Sequence, residues 1–164
     1  YKFFRHYGLN DIKIIVLNLI YLALILFYIY PLKFLFSVLL SASTGLDLFP
    51  KAASQGLIVL SNEDFPKLIG LFSIGYFLIW MLLFFMHSIA LRSAKELELN
   101  EYETAYTIKE TRGALWNAMV GLLAIIFLPT GLNWLSGLCY LTIPALLLVN
   151  EKMFSKKLRK AKAR

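Results

Sequence analysis

The side chains that could do chemistry in this 164-residue chain are few: His6 and His87, Cys139, and the polar positions Asn18, Lys33 and Asn117 set in or beside apolar runs. A metal site needs ligands brought together by a turn or a helix face. The two histidines stand 81 positions apart, with no thiol or carboxylate at ligand spacing. No Ser, Cys or Lys has a base placed by motif, and no glycine-rich loop follows a strand, so neither nucleophilic catalysis nor phosphate binding is indicated. The chain reads as a protein that is not an enzyme and takes no cofactor.

Each of these residues has a plainer reading beside the functional one. His87, four residues before the end of an apolar run, reads first as structural, its tip in the headgroups or hydrogen-bonded to a neighbour, and second as a proton relay or pH switch. Asn18 and Asn117 are amides inside apolar stretches; they suit helix-to-helix hydrogen bonding better than a polar pathway. Lys33 follows Pro31 by two residues, and a charge at mid-membrane costs roughly 2.5 to 3.5 kcal/mol, so the interface is its place, the stem running along Phe34 and Phe36. Cys139 has no partner for an intramolecular disulfide and lies in an apolar run, where a thiol packs.

The elements that carry these side chains are apolar helices. Hydrophobic residues make up 59% of the chain and charged ones 16%, more apolar surface than one soluble core requires. From position 14 to position 30 there is no charge and one amide, Asn18. Residues 12–30 would cover roughly 28 Å as a helix, close to the bilayer's hydrocarbon thickness. Pro31 is expected to kink or end that helix. The run is about twice too long for a signal-peptide core. Four spans are predicted, over about 12–31, 68–91, 113–128 and 134–149. Between the first two lies a loop with an apolar island, Leu57 to Leu60, followed by Ser61, Asn62, Glu63 and Asp64 as capping residues and Pro66 at a first helical position. Residues 92–112 form a charged segment, helical by the recurrence of Leu99, Tyr102 and Tyr106, with Asn100 and Glu103 at capping-box spacing. Pro129, Thr130 and Gly131 turn the last two spans into a hairpin; Pro144, inside the fourth, argues for a helix buried among others. Ala114, Ala118 and Gly121 make a small-residue stripe suited to close helix packing, and Trp80, mid-span, is expected to face protein.

Charge sets the orientation. Lys and Arg number 3 in residues 1–13, 4 in 92–112 and 7 in the basic tail 151–164, or 14 of the 17. The positive-inside rule puts both termini and the charged segment in the cytoplasm. The net charge of +7 is thereby read as a topology signal with some attraction for acidic lipid, not as a nucleic-acid surface. No acidic residue lies in a span, which disfavours proton-coupled transport through this chain alone. The fold class is an all-α polytopic membrane bundle, and its first partner is the lipid bilayer.

Two patches carry a resemblance. Phe4-Arg5-His6-Tyr7-Gly8-Leu9-Asn10-Asp11, then Asn18, then Phe27 through Phe36, resembles the third helix of prokaryotic members of the transmembrane protein 175 potassium-channel family. Met86-His87-Ser88 through Glu96-Leu97-Glu98-Leu99-Asn100-Glu101 is similar to the segment after that family's fourth helix. The resemblance implies a six-span subunit with cytoplasmic ends in a prokaryotic inner membrane, assembled as a homotetramer around a path for potassium ions. The four spans would then be the last four of six. The family's defining motif, an Arg followed shortly by Phe-Ser-Asp on its pore-lining first helix, is missing: Phe36-Ser37, Phe72-Ser73 and Phe154-Ser155 are followed by Val, Ile and Lys. The first residue is also not Met. The expectation is that two preceding helices, the pore helix among them, are absent from these residues and that the chain is scaffold; no pore residue is carried onto it. A non-catalytic accessory subunit docking a partner complex is the alternative.

Overall fold

The computed structural model describes residues 12–45, 64–94, 99–131 and 133–162. The N-terminal basic stretch with His6, the loop with the island Leu57 to Leu60, Lys95 to Glu98 and the last two residues lie outside the described residues. The described chain is helical throughout: α1 (Ile12–Thr44), α2 (Phe65–Arg92), α3 (Glu101–Phe127), a 3₁₀ turn (Leu128–Thr130), α4 (Asn133–Leu138), a second 3₁₀ segment (Cys139–Thr142) and α5 (Ile143–Lys162). Among the described residues four stretches are long and apolar enough to cross a membrane: Ile14–Ser37, Pro66–Arg92, Glu101–Thr130 and Leu135–Lys156. The protein is an all-α integral membrane bundle.

Local sequence explains most helix ends. Pro66 occupies the first turn of α2, where a missing amide proton costs nothing, and the Asp64 carboxylate pairs with Lys67 at 2.7 Å in place of a side-chain cap. α3 opens with a complete capping box: the Glu103 amide donates to the Asn100 side chain at 2.8 Å, and the Asn100 amide donates to the Glu103 carboxylate at 3.0 Å. It closes through the 3₁₀ turn at Gly131, whose φ of 75° favours a residue without Cβ. The Ser136 hydroxyl then donates to the Ala124 carbonyl at 2.7 Å and ties the hairpin shut.

Three expectations are corrected. Of the kink or end expected at Pro31, the end is excluded: α1 runs on to Thr44, because one lost hydrogen bond is a small fraction of those a 33-residue helix makes. The charged segment is not a separate element from the third span: from Glu101 onward it is the first turns of α3 itself. Pro144 is not buried among helices. It is exposed as the second residue of α5, and its missing amide proton falls in a first turn, beside a 3₁₀ break that the apolar run did not disclose.

α3 is the centre of the bundle, packed on α2 on one side and on α4 and α5 on the other, while α1 sits at the edge against α2. Lipid is as apolar as leucine, so close approach and hydrogen bonds must hold these helices together. The predicted stripe does this. Ala114, Ala118 and Gly121 are buried in sequence along α3, and Ala124 extends the row. At Gly121 a Cβ would stand 3.2 Å from the Phe77 backbone nitrogen and 3.3 Å from its Cα, so α2 and α3 touch backbone to backbone there. By contrast, α1 leaves Phe27 (83% exposed) and Tyr30 (79%) on the outer surface.

Candidate functional site

Polar groups in the bundle fall into a central seam and a cavity near one end. The seam is built from α2. Its Phe72 carbonyl accepts the Tyr28 hydroxyl of α1 at 2.9 Å, its Ser73 Oγ accepts the Tyr140 hydroxyl at 2.8 Å, and its Tyr76 hydroxyl donates to Asn117 Oδ1 of α3 at 2.7 Å. Tyr140 reaches α2 from the 3₁₀ segment between α4 and α5. The rings meet edge to face, Tyr140 with Phe72 and with Tyr76 both at 5.2 Å between centroids, a geometry that sets the positive ring edge against the negative face. Asn117, 3% exposed, is satisfied on both sides of its amide, since Nδ2 donates to the Gly113 carbonyl at 2.8 Å.

The cavity, of about 270 Å³, lies between α2, α3 and α5 where the charged start of α3 meets its apolar run. Trp80, Lys109, Glu110, Asn117, Asn150 and Glu151 contribute to its wall. The Lys109 ammonium pairs with Glu151 at 2.5 Å, stands 4.0 Å from Glu110, and lies 5.7 Å from the Tyr106 ring centroid. Asn150 Nδ2 donates to the Lys109 carbonyl at 3.1 Å, joining α5 to α3. Asn150 is 5% exposed, and its Oδ1 is buried with no hydrogen-bond partner among the described residues.

The structure distributes the four polar positions singled out in the sequence rather than gathering them. Asn117 belongs to the seam and borders the cavity. His87 is half-buried, with Nδ1 2.8 Å from the Leu83 carbonyl one turn back. Asn18 is half-buried on α1 and makes no side-chain hydrogen bond among the described residues; Lys33 is exposed on the same helix. Cys139 is half-buried and free. Among the described residues no three His, Cys, Asp or Glu side chains come together to hold a metal ion. Sequence reasoning missed Tyr28, Ser73, Tyr76, Tyr140 and Asn150. Tyr and Ser are ordinary in spans, so only their coincidence on facing helices marks them. Asn150 carried a usable signal, an amide one residue past an apolar run and next to Glu151.

No family model matches the chain. A protein of Marivirga tractuosa described as a potassium channel is 31% identical over 166 residues, an alignment spanning 98% of this chain and 67% of that one. The fold is similar to the crystal structure of a variant of the potassium channel MtTMEM175 bound to a nanobody fusion. The TM-score is 0.74 at 30% identity, over 94% of this chain and 69% of that one.

Proposed function

The chain belongs to the transmembrane protein 175 family of potassium channels, and from that premise we propose that its four spans are the scaffold of a potassium-permeable channel subunit, with the pore-lining helix supplied by sequence outside these 164 residues. The observation that carries the reading is the near full-length likeness to a potassium channel in a chain without the family's Phe-Ser-Asp motif. The interior of the bundle supports it. An ion-selective filter of the carbonyl or charged-ring kind presents open oxygens to the ion. Here Tyr28, Tyr140 and Tyr76 spend their hydroxyls on Phe72, Ser73 and Asn117, so the seam is closed by its own hydrogen bonds. The subunits assemble as a homotetramer in a prokaryotic inner membrane with both termini cytoplasmic, and α1, with its aromatic outer face, is the helix placed to meet neighbours or lipid.

Intact mass and potassium flux into liposomes, both measured on protein purified from its native membrane, test this. Flux from a species heavier than 18.8 kDa by roughly two spans and their loops is the expected result. Flux from a species of 18.8 kDa would make these helices line the pore themselves and overturn the scaffold assignment. A heavier species without flux would leave the accessory-subunit reading in possession. Replacing Asn18 or Lys33 by Leu is expected to change assembly or expression and to leave ion selectivity alone; a clean selectivity change would place either residue in the pore.

A further inference from the structure

The cavity between α2, α3 and α5 has a donor missing. Two carboxylates, Glu110 and Glu151, share one ammonium, Lys109, so the charged wall carries a net negative charge. Asn150 Oδ1, on a side chain 95% buried by its 5% exposure, accepts from nothing among the described residues. An unpaired buried acceptor costs about 1 to 3 kcal/mol, a cost that a bound donor removes. Turning the amide over would not help, because Nδ2 already donates to the Lys109 carbonyl. The space is large for one water: about 270 Å³, against roughly 10 to 15 Å³ needed to admit one. Trp80 adds an aromatic surface of the kind that attracts cations.

We propose that this cavity binds a primary ammonium group, its N–H donors directed at Asn150 Oδ1 and its charge balanced by Glu110 and Glu151. The group is that of an aminophospholipid headgroup or of a small free amine. Depth favours access from the lipid: Lys109, Glu110 and Arg112 immediately precede the apolar run of α3, and Glu151 follows that of α5, which sets the cavity at the level where headgroups lie. The assignment rests on the membrane bundle alone and stands whether or not the chain conducts.

The full chain in nanodiscs of equimolar phosphatidylethanolamine and phosphatidylcholine, released into the gas phase and weighed with its retained lipid, tests it. Phosphatidylethanolamine is expected to be enriched about tenfold over phosphatidylcholine, whose trimethylated nitrogen has no N–H to give; a hydrogen bond to a charged group is of that size. Asn150→Leu should bring the ratio to about one. Asn150→Asp, which keeps the shape and adds a charge, should raise it, and serves even if the leucine variant fails to fold. Displacement of the bound lipid by free ethanolamine would show that the headgroup suffices; enrichment that survives ethanolamine would assign the site to the whole lipid. Equal retention of the two lipids, enrichment unchanged in Asn150→Leu, or displacement by potassium ions as readily as by ethanolamine would each overturn the assignment.

Discussion

Consecutive residues of α2 close two helix interfaces with the same parts in exchanged roles. At Gly75 the helix supplies a gap that receives the Tyr28 ring of α1; at Tyr76 it supplies a ring that lies over the gap at Gly121 of α3. The two contacts differ in what stands behind the ring. A Cβ on Gly75 would come within 2.5 Å of Tyr28 Cδ2 and Cε2 and would meet no other residue at close range. A Cβ on Gly121 would meet Tyr76 at 3.1 Å and, behind it, the Phe77 backbone. The edge contact is tighter by distance, yet only the central one is limited by something that no rotamer change can move. Distance alone puts the edge contact first; the mobility of the atom being approached puts the central one first.

The largest effect is expected at the centre. Gly121→Leu should destabilise the bundle by about 3 kcal/mol, the upper part of the range for overpacking, measured by unfolding in mixed micelles of rising denaturing-detergent fraction. Trimming the ring in the pair Tyr76→Ala with Gly121→Leu should not recover the loss, because the Phe77 backbone remains. Gly75→Ala should cost about 2 kcal/mol and should be largely relieved by Tyr28→Ala, since the ring is the whole obstacle. If the second rescue fails while the first succeeds, backbone contact is not what separates the interfaces.

The same contrast explains how much could be read beforehand. The small-residue stripe of α3 showed in the sequence because close packing of two helices imposes a three-and-four spacing on one of them. The capping box at Asn100 and Glu103 showed because it is local. The edge interface did not show: Tyr28 and Gly75 are 47 positions apart, and neither breaks a pattern in its own helix. The 3₁₀ segment Cys139–Thr142 was equally silent, because its apolar residues continue the run on either side and the hydrogen bond from its Tyr140 is made to Ser73 on another helix. Whether α1 would end at Pro31 or only kink there stayed open for another reason. A proline's local cost is fixed, but whether it ends a helix depends on the bonds the following residues can still make, here as far as Thr44. In the candidate site, Asn117 was legible as an amide in an apolar run, whereas the cavity was not, since it needs α2, α3 and α5 at once.

Hydrogen bonds at the two interfaces should differ in the same direction as the packing, by smaller amounts. Asn117→Leu removes the acceptor of the Tyr76 hydroxyl, a part-buried donor between two helices; the expected cost is about 1.5 kcal/mol, near the top of the range measured for side-chain hydrogen bonds in membrane bundles.

Tyr28→Phe is the smallest change and the sharpest test. It removes the hydroxyl that reaches the Phe72 carbonyl, but that carbonyl lies inside α2 and keeps its helical amide partner, so nothing is left unpaired. The ring stays over Gly75, so the packing also stays. A cost of about 0.5 kcal/mol is expected, read in the same micellar unfolding series. Should Tyr28→Phe prove as costly as Asn117→Leu, the edge helix would be held by its hydrogen bond and not by its ring, and the exchange of ring and gap along α2 would cease to explain the order of the two interfaces.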